Sequence, residues 1–347
     1  MGLYFTVRQT ILRHLFMKYI LLLTFFPFGV LSAQKKKEFF TFEPPDEKIS
    51  GSLYNTIEFR DLRKDTTYLG VVQVGMVNSK ARVIPKEPLQ DQFNTLLASL
   101  AGSDAKHGKL LLTFRRFTFM ERTYAMKETG FFFVRADLYE NNNNEYRWIS
   151  TLDTIVQFNA ADVTQKLLRK GRSIVTDFIK DNLTKTASSP RSYTIYEAQK
   201  IDSIQKSDLA LYNVNEYVPG LYQTYESFRD QKPTITDFKA TEKNKKLKDI
   251  FIPKNGTGGL DEIKPEDYFA VVYNNVAYVT TKDGYFPLEK KGDDFYYHGY
   301  VKSFTAGPAA MFGLMGVMLM STTKELGVFR LDHINGSFLY AGQIKED

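Results

Sequence analysis

Hydrophobic and polar positions change period several times along the first half of the chain. Residues 56–62 and 69–77 are short runs of β-branched and apolar residues, and this pattern predicts two strands. Over residues 89–100 the apolar positions take helical spacing, between Pro88 and Gly102. The pattern therefore predicts two strands followed by a helix.

Three strand candidates follow, and then a second helix. Residues 110–119, 130–139 and 146–158 are predicted strands, and the Asn141–Asn144 run is a predicted turn because Asn tolerates left-handed backbone angles. A helix over 163–179, capped by Asn159, completes the set. Residues 38–186 are therefore predicted to form an α+β domain, an α/β sandwich in which two helices cover one face of a mixed sheet.

The second half of the chain reads differently. Ser188-Ser189-Pro190 interrupts the apolar period, and we predict a linker with helical and irregular segments over 187–262. Residues 268–273 and 276–280 are strand candidates on either side of Asn274-Asn275, a hairpin turn signal. Residues 263–347 are therefore predicted to form a β-rich domain.

An uncharged run, 306–320, lies within this predicted β-rich domain and is rich in Ala, Gly and Met. As a helix of 15 residues it would reach about 22 Å, short of the roughly 30 Å of a bilayer core. Burial in its own domain and docking on a partner are the two main alternatives. We predict an interaction site at Ala309, Gly313, Gly316 and Met318, where small residues allow close backbone approach and Met adapts to apolar surfaces.

The N-terminal residues have the pattern of a secretory signal peptide. Lys18 precedes the largely apolar run 19–31, and Ser32-Ala33 precede the polar Gln34. We predict cleavage after Ala33, with Met1 or Met17 as the start. The protein is therefore expected in the periplasm or outer cell envelope of a bacterium.

Composition narrows the classes of function. The 347 residues carry 46 Lys and Arg against 40 Asp and Glu, a net charge of +6. Arg8, Arg13 and Lys18 fall in the predicted leader, which leaves +3, too weak a balance to indicate nucleic acid. The chain has no Cys, which excludes disulfides, thiolate metal sites, a Cys nucleophile and a lipidated Cys.

The residues that perform catalysis are sparse. Four His are present, and none has a His partner at the short spacing of a local zinc motif. His298 near Asp293 and Asp294 is the one candidate catalytic group that we name, because a carboxylate can orient an imidazole as a general base. His333 beside Asp332 offers the same chemistry, but a hydrogen-bonded structural role is commoner for both His. We predict no metal site and no cofactor.

The element order over 38–186, with 89–100 as first helix and 110–119 as the next strand, resembles the small α/β domain of exported envelope accessory proteins. These include transporter-auxiliary lipoproteins and the N-terminal region of TolB-like proteins. The resemblance implies binding or scaffolding without catalysis. The missing lipidation Cys departs from the lipoprotein pattern.

A second resemblance covers roughly the last 130 residues. The segment 220–228 with Lys232-Pro233, the strands at 268–281, the aromatic residues Tyr296 and Tyr297, and the run 306–320 resemble an uncharacterised family of exported bacterial proteins. It implies no activity.

Two functions from different classes follow from the sequence. The first is a non-catalytic envelope protein that binds a partner or holds an assembly, with an envelope protein or a second copy docking through 306–320. A peripheral membrane contact stays open, and a small-molecule ligand is unknown. The alternative is an exported hydrolase whose site assembles from scattered residues of the C-terminal half, which a single sequence does not reveal.

Overall fold

A computed structural model describes residues 36–75, 78–124, 127–160, 163–244, 246–254, 256, 258–300 and 326–343. Contacts divide the chain into the units Met1–Lys36 and Lys37–Asp347. The description below concerns the second unit, together with Lys36, at which the first strand begins. The predicted signal peptide and the run 306–320 lie outside the described residues.

The first half of the unit builds a mixed sheet of eight strands. β2 and β3 lie parallel to β5, whereas β5, β6, β7 and β8 are successively antiparallel. The order is β1-β4-β3-β5-β6-β7-β8, with β2 also paired to β5. The bounds are β1 Lys36–Phe40, β2 Tyr54–Asp61, β3 Gly70–Val74, β4 Ser79–Pro85, β5 Gly108–Tyr124, β6 Lys127–Asn142, β7 Glu145–Ala160 and β8 Ser192–Tyr193.

Two helices, α1 (Leu89–Leu100) and α2 (Thr164–Lys180), share one hydrophobic core with this sheet. Their buried residues meet the apolar side chains of β5 and β6, many of them Phe rings in edge and stacked contact. Gly171 allows α2 to approach closely, because a Cβ there would lie 2.5 Å from the ring of Phe119. The mixed α and β class predicted for this half is confirmed.

Individual elements agree with the sequence pattern to different degrees. The first helix has the predicted bounds, and Asn143 and Asn144 adopt positive φ in the predicted turn. The predicted cap at Asn159 is wrong, because β7 continues to Ala160 and α2 begins only at Thr164. β1 and β4 had no predicted counterpart.

The second half of the unit contains short helices and three further sheets. The helices are α3 Ile195–Gln199, α4 Ile201–Ser207, α5 Ala210–Asn213 and α6 Tyr225–Arg229, with a 3-10 turn at Pro265–Asp267. The strands are β9 Gly220–Tyr222, β10 Lys239–Lys243, β11 Lys246–Pro253, β12 Leu260–Glu262, β13 Ala270–Tyr273, β14 Val276–Thr281, β15 Gly284–Pro287, β16 Glu289–Lys291, β17 Asp294–Tyr300, β18 Leu326–Leu331 and β19 Phe338–Gln343. The sheets are ordered β10-β11-β12, β15-β14-β13-β9 and β16-β17-β18-β19.

The segment predicted as a linker, 187–262, takes part in this sheet structure. β9 pairs with β13 through Gly220 to Tyr222, and the Lys-rich stretch forms the hairpin of β10 and β11. Asn274 and Asn275 adopt positive φ between β13 and β14, as the hairpin prediction requires. The division into domains stays a prediction.

Candidate functional site

The face of β5 and β6 that points away from the helices carries a band of charged side chains. Along β5 the helix-facing core first takes the even positions 110, 112 and 114, and then the odd positions 117 and 119. This change of parity comes from a β-bulge: Phe114 pairs with Ala136 and Arg116 pairs with Arg135, which leaves Arg115 as the extra residue. The bulge therefore places two consecutive arginines on the same outer face.

We call this feature the charged band. It comprises residues of β5 to β7, of α4, of β17 and β18, and of the turn between β18 and β19. Its members are Arg115, Arg116, Arg135, Asp137, Asp153, Asp202, Gln205, Lys206, Asp294, Arg330, Asp332 and His333.

Arg115 connects the sheet to α4. Its guanidinium donates to Asp137 at 3.2 Å, to Gln205 at 2.9 Å and to Asp202. Asp137 is fully buried, whereas the Asp202 side chain is 56% exposed. A buried arginine is thus held between one buried and one solvent-facing carboxylate, which is the pairing that a buried charge needs.

Arg135 connects the sheet to the turn between β18 and β19. It donates to both oxygens of Asp332, at 3.1 and 3.0 Å, and to Asp153 at 2.8 Å. Asp332 also accepts the backbone N–H of Ile334 at 3.0 Å. Burial raises the pKa of Asp332, but Arg135 and Arg116 outweigh burial and leave its pKa lowered. Asp332 is therefore an ionised and fully engaged carboxylate.

The turn that carries Asp332 is held in a fixed shape. Gly336 has φ +73°, and a Cβ at this position would collide with the ring of Tyr225. The hydroxyl of Tyr225 donates to the carbonyl of His333 at 2.7 Å. This turn and α6 therefore pack as one piece.

A third group of charges closes the band. Lys206 of α4 donates to Asp294 at 2.6 Å, and Arg330 of β18 donates to the other oxygen of Asp294 at 3.4 Å. Asp294 thus accepts from two cations that come from different elements.

A small cavity of about 80 Å³ lies within the charged band. Five cations line it, together with three carboxylates, Leu331 and His333. Asp137 and Asp153 lie outside the lining but pair with Arg115 and Arg135, so five carboxylates of the charged band balance its five cations, with His333 neutral. Asp202 and Arg330 are the most exposed of the paired side chains in the lining, at 56% and 43%, so they mark its mouth.

Arg116 differs from the other cations of the cavity. Among the described residues it forms no hydrogen bond, and its nearest carboxylate is Asp332 at 3.6 Å. Burial lowers the pKa of Arg116 to about 10; Asp332 opposes this effect, while Arg135 and Arg330 add to it. Arg116 is still charged at neutral pH, but its charge is poorly compensated.

His333 lies between α4 and the sheet. Its Nε2 is 3.2 Å from the side-chain oxygen of Gln205 and 3.9 Å from Asp202. Burial lowers the pKa of His333 to about 4, although Asp202 and Asp332 oppose this. The partner expected from the sequence, Asp332, directs its carboxylate at Arg135 instead.

The structure separates the candidate catalytic residues named from the sequence. Asp294 binds Lys206, whereas His298 lies four positions farther along β17 and is exposed. Four strand residues span about 13 Å. Asp293 is exposed in the turn before β17. The candidate interaction residues Ala309, Gly313, Gly316 and Met318 lie outside the described residues.

Sequence reasoning missed the charged band. One signal for it was present: Arg115-Arg116 interrupts the apolar run of β5, and Arg135 and Asp137 fall on one side of the apolar run of β6. Paired charges inside apolar strands indicate a buried polar contact. Their partners were not visible, because Asp332 follows Arg135 by 197 residues.

A second, open depression of about 450 Å³ lies at the end of the sheet, beside the turn of Asn143 and Asn144. Its lining includes His107, Lys109 and Glu140. Asn141 accepts the backbone N–H of Asn144, so this asparagine serves the turn itself. The depression brings together no set of buried or poorly compensated charges comparable to the charged band.

The described residues contain neither a cluster suited to a metal ion nor a helix suited to a membrane span. No group of three or more His, Asp or Glu side chains is placed to hold a metal ion. No helix within the described ranges has the length and apolar character needed to cross a membrane.

Comparisons with known proteins return distant structural matches. No protein-family model matches the chain, and no curated protein is significantly similar to it. A crystal structure of a Xanthomonas campestris protein of family DUF330 matches at 10% identity with a TM-score of 0.27, covering 42% of this chain and 91% of the other. A second crystal structure, of an uncharacterized protein, matches at 14% identity with a TM-score of 0.22, covering 43% and 99%. At these TM-scores neither structure supports a particular fold or function, and the resemblance to TolB-like domains stays a prediction.

Proposed function

We propose that the protein is an exported cell-envelope protein that acts by binding a partner and not by catalysis, with the charged band as its binding region. One observation carries the choice of binding over catalysis: Asp202, Asp294 and Asp332, the carboxylates that line the cavity, each accept hydrogen bonds from Arg or Lys. In keeping with these contacts, the pKa values of Asp202 and Asp332 are lowered. General acid–base catalysis needs groups that titrate near the working pH.

The cause of each shift fits a binding region. Burial raises the pKa of Asp202, but Arg115 outweighs burial and leaves this pKa lowered, and Asp332 is held ionised by Arg135 and Arg116. Carboxylates engaged in this way exchange protons poorly at neutral pH, while they fix the guanidinium groups in place. A rigid array of guanidinium groups is suited to recognition.

Export rests on the leader pattern before Gln34. The element order that resembles transporter-auxiliary and TolB-like envelope domains supports the same location. Cell fractionation followed by N-terminal sequencing tests it: we expect an envelope protein that begins at Gln34. A cytoplasmic protein that retains Met17 would contradict the location.

Photo-crosslinking in intact cells tests the binding region. A photoreactive residue replaces Arg330 at the mouth of the cavity, and a control replaces Leu260, an exposed residue of β12, which contributes nothing to the charged band. We expect a crosslinked protein product from position 330 and none from position 260. Equal products at both positions, or none at 330, would exclude the charged band as the binding region.

A further inference from the structure

We propose that the cavity of the charged band binds a carboxylate group, supplied by an acidic side chain or chain terminus of the partner. This inference rests on the proposed binding function and identifies the chemical group that the site recognises.

The donor groups that face the cavity indicate an acceptor such as an anion. Every carboxylate of the lining already accepts hydrogen bonds from Arg or Lys. Arg116, in contrast, shares Asp332 with Arg135 and donates to no described residue. Within the described part of the chain, no nitrogen of Arg116 is both fully buried and without a partner, so its N–H groups are open to the cavity, where an anion or water accepts from them. The cavity beside Arg116 is where such an acceptor fits.

The size of the cavity limits the anion. A volume of about 80 Å³ holds a few water molecules. This space accommodates the three heavy atoms of a carboxylate that enters through the mouth between Asp202 and Arg330. A terminal group that enters from solvent meets this requirement.

The charges in the wall favour a carboxylate over a phosphate. Asp202, Asp294 and Asp332 line the cavity together with the cations. Together with Asp137 and Asp153 they balance the five cations, so no excess of positive charge offsets the second charge of a phosphate, and a carboxylate with one charge is favoured. A planar carboxylate also matches the fork of a guanidinium group, which gives two parallel hydrogen bonds.

The experiment titrates the full-length mature protein with acetate. Binding is monitored by thermal unfolding and by the Nε–Hε resonances of arginine in NMR spectra. Sodium chloride at equal ionic strength is the reference, and inorganic phosphate is the competing anion. We expect acetate to raise the midpoint of unfolding more than chloride does, and to shift a buried arginine resonance. A ligand that binds only the folded state stabilises it in this way.

Two variants and a control locate the effect. Arg116→Gln should raise the Kd for acetate about tenfold or more, because it removes the guanidinium that donates no hydrogen bond within the described residues. Arg330→Gln, at the exposed mouth, should weaken acetate binding as well, and it keeps the test valid if Arg116→Gln does not fold. Arg82→Gln, an exposed arginine that lies over Tyr68, should bind acetate like the wild type.

Three results would overturn the proposal: acetate that acts no more strongly than chloride, phosphate that binds more tightly than acetate, or an Arg116→Gln protein with unchanged affinity. Failure of this titration is distinct from failure of the proposed function. A crosslink from position 330 without an acetate effect would retain the binding region and reject the carboxylate.

Discussion

Replacing Asp332 by Ala tests how strongly the charged band stabilises the fold. The change removes the partner of two hydrogen bonds from Arg135 and the nearest carboxylate of Arg116. The side chains of Asp332 and Arg135 are 3% and 6% exposed, so solvent screens their interaction little. Breaking a buried pair typically costs about 3–5 kcal/mol of unfolding free energy.

Two structural details place the expected loss at the lower end, about 3 kcal/mol. Arg135 keeps its hydrogen bond to Asp153, and the adjacent cavity can admit water to the freed guanidinium groups. Asp332→Asn keeps the shape of the side chain and removes the charge, so it should lie between the wild type and Asp332→Ala.

Urea unfolding followed by circular dichroism measures these differences. The control is Glu47→Ala, which breaks an exposed ion pair with Lys180. The side chain of Glu47 is 67% exposed and that of Lys180 is 29% exposed. An exposed pair contributes below about 1 kcal/mol. If Asp332→Ala destabilises the protein no more than Glu47→Ala does, the ion pairs of the band do not stabilise the native state.

Three further predictions concern pH and glycines. His333 has a pKa of about 4 in the folded state, below its unfolded value, so the unfolded state binds more protons and stability falls as the pH drops from about 6.5 towards 4. Between pH 7 and 5 the wild type should therefore lose about 2 kcal/mol more unfolding free energy than His333→Gln, measured by urea unfolding. Equal losses in the two proteins would refute this. Gly336→Ala should lower the unfolding midpoint clearly more than Gly292→Ala, because both have positive φ but only Gly336 has a ring against it; similar midpoints would contradict the packing. Gly171→Ala should destabilise by about 1–2 kcal/mol in the same assay, since the clash with Phe119 exceeds the gain in helix propensity, and a stabilised variant would show that α2 can shift.

Local signals predicted the first half of the fold well. The helix over Leu89–Leu100 has its predicted bounds because Pro88 and the apolar period act within a few residues. The predicted cap at Asn159 is wrong because β7 stays paired with β6 as far as the pair of Ala160 with Glu128. This pairing extends the strand past the residue at which local propensity favours the start of a helix.

The partners within the charged band could not be predicted from local pattern. Arg135 and Asp137 inside the apolar run of β6 indicate a buried polar contact, but the local pattern does not show which residues they contact. Asp332, in turn, looks like one more turn residue next to His333. Its role depends on a contact with a distant strand, which periodicity does not report.

The sequence separations within the charged band have a kinetic consequence. Arg115–Asp137 and Arg135–Asp153 join residues 22 and 18 positions apart, whereas Arg115–Asp202 spans 87 and Arg135–Asp332 spans 197. Closing a longer loop costs more chain entropy, so the pair that completes the cavity is expected to form after the strands of the sheet have paired. Interactions that are absent from the folding transition state change the unfolding rate and leave the folding rate nearly unaltered. A ligand of the cavity should therefore slow unfolding without accelerating folding, and a chain that has paired only its sheet strands should still be unable to bind it.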